Sequence, residues 1–470
     1  MGPPFQLECP HCGSKDLEAE AYFRCPECGG VPEYFVDVEY LKKADFQGPL
    51  TFWRYRPIMP KIIRPVSLGE GGTPLWEAER LGKHLGLERL LLKDETRNPT
   101  SSFKDRPASL IVSDAVGKGY GSVVCASNGN HGASLAAYSA KEDVACHLVV
   151  PGDLDIGKLA QMIAYDAEVR ESDGGIEGAI KEAKGLAEER SWYQATTELN
   201  PLSIEALKTI SYEIAEQRGA PDWMVVAMGS GVTIHSIWKG FRELENLGLV
   251  DSKPRLIGVQ AIGCSPITEA FNQGEDTPMI LEKANTVAKA IYVSEPKFGA
   301  AALKDLNDSG GLSVSVTDEE MIECGKEIAR SEGIFAEPAS AATVACLSRL
   351  RDSGVIDRTD SVVSLITSSG LKTNDILRSL SGRRRTLGLA SKLATKERLL
   401  KEISRKRTYG YALWKTMGRE MTLGAVYQHL SDLEERGLVV SHAEGKRRYL
   451  EITENGHRVL QALDELRVLL

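Results

Sequence analysis

Two pairs of cysteines near the start of the chain have the spacing of metal ligands. Cys9 and Cys12 form the first pair and Cys25 and Cys28 the second, and a glycine follows each pair. Two intervening residues let both thiolates of a pair reach one tetrahedral ion, and the glycine lets the backbone turn back toward the sulfurs. The pattern predicts a zinc ribbon over residues 1–35, with a structural ion because four protein ligands leave no open position.

Two redox-active pairs are the alternative interpretation of the same cysteines. Neither pair opens a helix, as a thioredoxin-type site would. The twelve residues between the pairs contain a short strand candidate at 21–24 instead. Metal ligation is therefore the favoured interpretation.

A lysine at position 104 lies in a loop rich in serine and threonine, directly before a helix predicted to start near Asp105. Lysines are mostly exposed, so Lys104 alone would be interpreted as a surface cation. Two further loops change that interpretation, because each follows an apolar strand and opens a helix. Residues 127–132 offer successive backbone donors that suit a carboxylate, and the glycines of 228–233 allow the backbone to wrap a phosphate. A tight structural turn is the alternative for the second loop.

The elements that position these loops alternate between apolar runs and amphipathic stretches from about residue 66 to 380. Strands are predicted at 90–92, 122–125, 145–150, 224–227, 256–259 and 361–366, and helices at 133–141, 176–190 and 318–333. Such alternation predicts an α/β fold with parallel sheet covered on both faces. Ligands bind beyond the carboxyl ends of the strands in sheets of this kind.

The last segment has a different pattern. Helices are predicted near 394–404, 410–418, 422–436 and 453–467, and strands at 438–440 and 449–452 around a turn at 444–446. This order is typical of a winged helix-turn-helix. The helix after Thr422 would read a DNA groove, and Lys446, Arg447 and Arg448 would lie on the wing.

The bulk composition indicates a multidomain protein. The chain has 470 residues, 42% of them apolar, which is enough for a large core and more than one domain. We predict domains at 1–35, 36–385 and 386–470, with a smaller lobe at about 110–210 inserted in the second. No run approaches the roughly 20 apolar residues of a membrane span, no secretion signal is recognised, and the remaining cysteines are scattered, so a cytoplasmic protein is expected.

The charge is unevenly distributed. The chain carries a net −9, yet residues 383–470 contain 18 Lys and Arg against 11 Asp and Glu. A basic tail on an acidic protein indicates an anionic partner of its own.

The three loops, in this order, resemble the fold-type II family of pyridoxal-phosphate (PLP) enzymes, which includes tryptophan synthase β, threonine dehydratase, cysteine synthase and threonine synthase. The resemblance covers about residues 66–380 and implies two open parallel-sheet lobes. It implies that Lys104 forms the Schiff base with PLP and that Asn130 binds the cofactor's 3′-oxygen. The other implied cofactor contacts are Phe103, the phosphate-binding residues Gly229, Ser230, Gly231, Val232 and Thr233, and Thr367 at the pyridine nitrogen. The substrate carboxylate would lie on Ser127, Asn128 and His131.

Five segments resemble threonine synthase in particular: residues 69–75, 95–100, 258–261, 288–291 and 333–341. This resemblance implies a lyase that converts O-phospho-L-homoserine and water, through a PLP aldimine, into L-threonine and phosphate. Two other enzymes of the fold are the alternatives, a serine or threonine dehydratase and a cysteate synthase-like enzyme that uses phosphoserine.

The chain departs from the threonine synthase pattern in two segments, residues 127–131 and 200–203. The family's Asn-Pro-x-Arg carries an arginine that helps bind the substrate phosphate, but Ser203 stands in its place. Compensating candidates are Lys208, Arg106, His131 and Lys289. His131 also departs from the usual threonine, a feature shared with the dehydratase branch, and its alternative interpretation is a loop histidine with satisfied hydrogen bonds.

The tail resembles winged-helix domains of the PadR-like kind through residues 409–413 and 426–438. Such domains usually bind DNA as dimers, so DNA and a second copy of the chain are the expected partners. A dimerisation or protein-docking module is the alternative. Arg383, Arg384 and Arg385 would contact phosphates or form a solvated linker. A regulator whose PLP domain senses an amino acid is a further alternative for the whole chain.

Overall fold

A computed structural model describes residues 5–15, 17, 25–373, 389–417, 422–444 and 447–468. The chain divides into two compact units, residues 1–379 and 380–470. Within the described residues, no helix is long and apolar enough to cross a membrane.

The cysteine pairs lie beside a small antiparallel sheet at the start of the first unit. Strand β1 (Phe5–Glu8) pairs with β2 (Glu33–Val36), and Glu8 lies opposite Glu33. The short helix α1 (Val38–Leu41) follows. The predicted strand at 21–24 lies outside the described residues.

The larger lobe is built on a six-stranded sheet. Its strands are β3 (Leu75–Glu77), β4 (Arg89–Asp94), β9 (Trp223–Ala227), β10 (Arg255–Ala261), β11 (Leu312–Val316) and β12 (Ser361–Ile366), in the order β11-β10-β9-β12-β4-β3. All pairs are parallel except β3 with β4. Every residue of β9 and β12 is buried, including Ser361 and Ser364 of β12, as expected for central strands of a sheet that is covered on both faces.

The smaller lobe has a four-stranded parallel sheet. Its strands are β5 (Ser122–Ala126), β6 (Ala145–Pro151), β7 (Glu168–Ser172) and β8 (Tyr193–Gln194), in the order β7-β6-β5-β8. The prediction of an α/β fold with two parallel-sheet lobes is confirmed.

Helices follow most strands of both sheets. They are α2 (Glu79–Leu85), α3 (Asp105–Gly117), α4 (Asn130–Lys141), α5 (Ile156–Ala164), α6 (Gly175–Arg190), α7 (Leu202–Leu207), α8 (Thr209–Arg218), α9 (Val232–Asn246), α10 (Pro266–Gln273), α11 (Gly299–Asp308), α12 (Asp318–Glu332), α13 (Pro338–Ala345) and α14 (Leu347–Asp352). Short 3-10 helices occupy Phe52–Ile58, Glu95–Arg97, Lys289–Ile291 and Gly370–Lys372.

The second unit has the predicted winged-helix order. It contains α15 (Leu389–Arg405), β13 (Thr408–Tyr409), α16 (Gly410–Thr416), α17 (Leu423–Glu435), β14 (Val439–Glu444), β15 (Arg447–Ile452) and α18 (Glu454–Val468). Thr422 caps α17, because its hydroxyl accepts from the amide of Ala425 at 3.2 Å. Buried leucines, isoleucine, valines and methionine from these elements form a separate core.

Two groups of predicted basic residues lie partly or wholly outside the described part of this unit. Lys446 and residues 383–385 are outside it, and so is the side chain of Arg447. Arg448 lies on β15, where its guanidinium donates to Ser441 Oγ at 2.6 Å and to Glu434 Oε1 at 3.0 Å.

Candidate active site

The predicted loops meet at one cavity with about 770 Å³ of empty space, its open mouth included. This volume is within the range of about 300–1,000 Å³ that small-molecule sites occupy. The predicted residues that line it are Phe103, Lys104, Ser127, Asn128, Asn130, His131, Gly229, Ser230, Gly231, Thr233 and Thr367. Val232 does not line it, because its side chain is buried in the first turn of α9.

Lys104 immediately precedes α3 and its backbone amide donates to Ser102 Oγ at 3.3 Å. Its ammonium lies 5.0 Å from the centre of the Phe103 ring. Burial lowers the pKa of Lys104, while the carboxylate of Glu198 opposes that shift. A desolvated lysine holds its proton weakly, which makes its amine available as a nucleophile and base.

The lysine loop is attached to the end of β12. The amide of Phe103 donates to the carbonyl of Thr367 at 2.9 Å, and the amide of Ser369 donates to the carbonyl of Ser101 at 3.0 Å. Ser101 has φ of 60°, a conformation that needs such external support in a residue other than glycine. These contacts bring the Thr367 hydroxyl, which also lies 2.8 Å from Ser340 Oγ, into the same cavity as Lys104.

The second loop turns tightly at the start of α4. Gly129 has φ of 124°, and a β-carbon there would lie 2.3 Å from Lys158 Cδ, so only glycine fits. Ser127 Oγ accepts from the amides of Gly129 and Gly132 at 3.0 and 2.9 Å. The Asn128 amide group donates to the carbonyl of Tyr292 at 3.1 Å, which joins this loop to the larger lobe.

His131 lines the cavity as a neutral ring. Burial, together with the charge of Lys104, lowers the pKa of His131 to about 3. Its Nε2 lies 2.8 Å from the carbonyl of Ala195, so Nε2 carries the proton and donates it. His131 is therefore not a cation that could hold a substrate phosphate.

The third loop has the form of a phosphate cradle at the start of α9. Gly231 has φ of 94°, and a β-carbon there would lie 2.5 Å from the carbonyl oxygen of Phe298. A β-carbon on Gly229 would lie 3.3 Å from Ile291 Cα. Both glycines bring backbone close to the cavity where a helix N-terminus favours an anion.

Two carboxylates in the cavity were not predicted as site residues. Glu337 accepts from the Asn130 amide group at 3.0 and 3.1 Å and lies 3.6 Å from Lys158 Nζ. Glu198 lines the cavity beyond β8. Glu337 lies within the predicted segment 333–341, which was a usable signal, whereas nothing around Glu198 marks it in the sequence.

Three proposed substitutes for the family's arginine are bound elsewhere. Lys208 lies 2.7 Å from Glu205 and 3.0 Å from Glu243, and it is fully buried. Arg106 is paired with Glu95 and Glu213, and Lys289 is paired with Asp153. Ser203 is buried in α7. None of these lines the cavity; within the described residues, Lys104 is the only lysine or arginine that does.

The four predicted cysteine ligands converge. The Sγ atoms of Cys9, Cys12, Cys25 and Cys28 all lie within 4.8 Å of one another. Sulfurs of a tetrahedral zinc site with Zn–S bonds of about 2.3 Å are about 3.8 Å apart, so the donor set fits this ion. Gly13 and Gly29, which follow the pairs, have φ of 73° and 74°.

Comparison with known proteins relates this geometry to established families. Residues 66–368 match the family described as "Pyridoxal-phosphate dependent enzyme", and residues 399–462 match the "Transcriptional regulator PadR-like family". The chain is 40% identical over 377 residues to a threonine synthase of Methanocaldococcus jannaschii, covering 78% of this chain and 93% of that protein. It is 38% identical over 375 residues to a threonine synthase of Methanosarcina acetivorans, covering 78% and 92%.

Solved structures support the fold of the first unit. The processed form of threonine deaminase isoform 2 from Solanum lycopersicum matches with a TM-score of 0.57 at 20% identity, covering 66% of this chain and 88% of that one. A fungal L-serine ammonia-lyase from Rhizomucor miehei matches with a TM-score of 0.57 at 18% identity, covering 69% and 100%. Such low identities show a shared fold alone.

A half-buried lysine, a glycine cradle, a hydroxyl at the end of a strand and a helix-start loop fit a phosphorylated aldehyde cofactor, and the sequence relatives agree. The chain belongs to the pyridoxal-phosphate dependent enzymes and, among them, to the threonine synthase family of lyases, extended by a PadR-like winged-helix domain.

Proposed function

We propose that this protein is a threonine synthase that converts O-phospho-L-homoserine and water into L-threonine and phosphate. The observation that carries the proposal is the convergence of Lys104, the 127–131 loop and the 229–233 loop on one cavity, in a chain 40% identical to a threonine synthase. Lys104 would hold the aldehyde of PLP, Gly229–Thr233 its phosphate, Asn130 its 3′-oxygen and Thr367 its pyridine nitrogen.

The bound cofactor supplies the electron sink for carbanion chemistry. Lys104 would move protons among the α-, β- and γ-carbons of the substrate, a role for which its lowered pKa suits it. The C–O bond at the γ-carbon breaks with its electron pair on the departing phosphate. The oxygen of water bonds to the β-carbon as a hydroxyl, and the other proton of the water goes to the released phosphate. Backbone donors of 127–131 hold the substrate carboxylate and orient the α-carbon.

A second candidate reaction is the dehydration of threonine or serine. The cavity lining contains Glu198 and Glu337 and, within the described residues, no lysine or arginine besides Lys104. Lys158 lies 3.6 Å from Glu337 and offsets its charge, but among the described residues the lining has no lysine or arginine besides Lys104 that could hold a phosphate dianion. A hydroxyl leaving group needs no such cation.

One set of incubations separates these reactions. The protein is incubated separately with O-phospho-L-homoserine, L-threonine, L-serine and, with sulfite, O-phospho-L-serine, while phosphate, threonine, 2-oxobutanoate, pyruvate and cysteate are measured. We expect phosphate and threonine in equal amounts from the first substrate, and neither from Lys104→Ala. Failure to form threonine refutes the proposal; 2-oxobutanoate from threonine establishes the dehydratase, and cysteate the phosphoserine reaction.

We propose further that the four cysteines bind one structural zinc and that the winged helix binds DNA as part of a homodimer. The basic balance of the tail supports DNA binding. In contrast, α17 contains three acidic residues and neither lysine nor arginine. A gel shift of the full chain on its own upstream DNA, at two salt concentrations, tests this. Specific binding should persist at the higher salt concentration. If no shift occurs even at low salt, the winged helix is an assembly module and does not bind DNA.

A further inference from the structure

A half-buried histidine connects the ribbon to the helix that follows the proposed phosphate loop. His235 lies on α9, two residues after Thr233, and its Nε2 is 3.1 Å from Glu33 Oε2 on β2. Its Nδ1 is 2.6 Å from Asp305 Oδ2 on α11. Because each ring nitrogen faces a carboxylate, both nitrogens carry protons and the ring is a cation. Burial opposes this charge, but Glu33 and Asp305 outweigh it and raise the pKa of His235 to about 10.

A second contact joins the same two elements one turn further along α9. Lys239 Nζ donates to the backbone carbonyl of Tyr34, the residue after Glu33, and lies 2.7 Å from Glu205. The side chains of His235 and Lys239 are 13% and 14% exposed. Ion pairs with so little solvent around them are weakly screened, and breaking one partner leaves an uncompensated charge.

The residue that precedes α11 also contacts the proposed phosphate loop, residues 229–233. The amide of Phe298, which precedes α11, donates to the carbonyl of Ser230 at 2.9 Å. The Gly231 backbone passes so close that a β-carbon there would lie 2.5 Å from Phe298 O. The 229–233 loop therefore contacts the start of α11, α11 contacts His235 of α9, and His235 contacts β2.

We propose that Glu33 and His235 are positioning residues that couple the metal-bound ribbon to cofactor affinity. An ordered ribbon presents Glu33 to His235 and fixes the first turn of α9, where the amides of 229–233 bind the cofactor phosphate. When the ribbon loses its metal, Glu33 leaves His235 and the loop binds phosphate less tightly. This inference rests on the proposed role of the 229–233 loop, but not on the identity of the amino-acid substrate.

The test measures PLP binding to full-length protein from which the cofactor has been removed, by titration of its absorbance and fluorescence without any substrate. Glu33→Gln should raise the dissociation constant about fivefold, a typical coupling between two sites. The matched control is Glu8→Gln, because Glu8 lies opposite Glu33 in the ribbon sheet and its carboxylate is 3.9 Å from Lys15. Glu33→Asp should recover part of the affinity, since the charge is retained.

A chelator supplies the second arm. Treatment of the wild type should raise the dissociation constant to about the level of Glu33→Gln, and the same treatment should change that variant little, since the link is already broken. The coupling would be overturned if Glu33→Gln left the PLP dissociation constant unchanged. It would also be overturned if chelator treatment raised the dissociation constant of Glu33→Gln by the same factor as that of the wild type.

Thr233→Val separates this inference from the proposed loop function. If Thr233→Val and Glu33→Gln both leave PLP affinity unchanged, the loop does not bind the cofactor phosphate. If Thr233→Val weakens PLP binding and Glu33→Gln does not, the loop assignment holds and the coupling fails.

Discussion

The stability of the larger lobe should depend strongly on one buried carboxylate, Glu213 of α8. Its oxygens accept from Arg106 at 2.6 and 2.9 Å, from Lys93 at 2.7 Å, and from the amides of Gly72 and Thr73 at 2.8 and 3.2 Å. The side chains of Glu213, Arg106 and Lys93 are all 0% exposed. Glu95, the second carboxylate on Arg106, completes a cluster with no net charge.

Glu213→Gln keeps the shape of the side chain and removes its charge. The cluster then contains an uncompensated buried cation. The NH2 group of the glutamine also replaces one carboxylate oxygen, so one oxygen remains to accept from the five N–H groups that surround this side chain. Breaking a buried pair in this way costs about 3–5 kcal/mol, a large part of a typical total stability of about 5–15 kcal/mol. The control is Glu216→Gln on the same helix, whose pair with Arg54 is partly exposed and should contribute about 0–1 kcal/mol.

Urea unfolding at pH 7, followed by tryptophan fluorescence, measures both variants. Trp414 is the single tryptophan after residue 379, so a Trp414→Phe background makes the signal report the first unit. If Glu213→Gln lowers the free energy of unfolding no more than Glu216→Gln does, the cluster does not stabilise the lobe as argued.

The pH dependence provides a second check on Glu213. Burial alone would raise the pKa of Glu213, but Arg106 and Lys93 outweigh burial and hold it well below its ordinary value. A depressed carboxyl pKa stabilises the fold above the unfolded value of about 4.3, and this stabilisation is lost as pH falls toward the folded value. The difference between wild type and Glu213→Gln should therefore be constant from neutral pH to about pH 5 and narrow below about pH 4.3. A constant difference at acid pH would contradict this.

Four further predictions follow from the sites. Lys104→Ala should lose the visible absorption of bound cofactor; its retention would exclude Lys104 as the covalent attachment. Since burial lowers the pKa of Lys104 and Glu198 opposes that shift, the turnover rate should rise with pH with a midpoint below the ordinary lysine pKa of about 10.4. Glu198→Gln should move the midpoint of this pH–rate curve to lower pH, and a shift to higher pH would contradict this. NMR of His131 should detect no protonation between about pH 5 and 8; a titration near 6.5 would refute its neutral assignment. Metal analysis should find one zinc per chain, lost in Cys25→Ser and kept in Cys125→Ser; zinc retained in Cys25→Ser would refute the ligand set.

The sequence predicted the loops at the ends of the central strands because their physics is local. Glycines 129 and 231 require unusual backbone conformations beside an apolar run, and Thr367 follows a strand that is buried throughout. The cysteine pairs are local in the same sense, since each ligand spacing is contained in four residues.

Long-range charge pairing could not be predicted in this way. Lys93 and Arg106 belong to residue types that are mostly exposed, yet both are fully buried because Glu213, more than 100 positions away, neutralises them. Glu198 and Glu337 reach the cavity through the folding of chain segments far from Lys104. His131 lines the cavity, but only the folded environment, in which burial and the charge of Lys104 lower the pKa of His131 to about 3, indicates that its ring is neutral.

The position of β12 in the sheet has a consequence for how the chain acquires its activity during synthesis. This strand, at residues 361–366, lies between β4 and β9, although it is the last of the six to be made. A growing chain can emerge with Lys104 and both anion loops complete while the two halves of the larger sheet have no strand between them. Thr367 and Ser369, whose backbone groups hydrogen-bond to the lysine loop, are synthesised directly after β12. Nascent chains that stop before residue 360 should thus contain nearly every residue that lines the cavity but no complete cavity, so the chemistry proposed for Lys104 should begin only when translation of the first unit is almost finished.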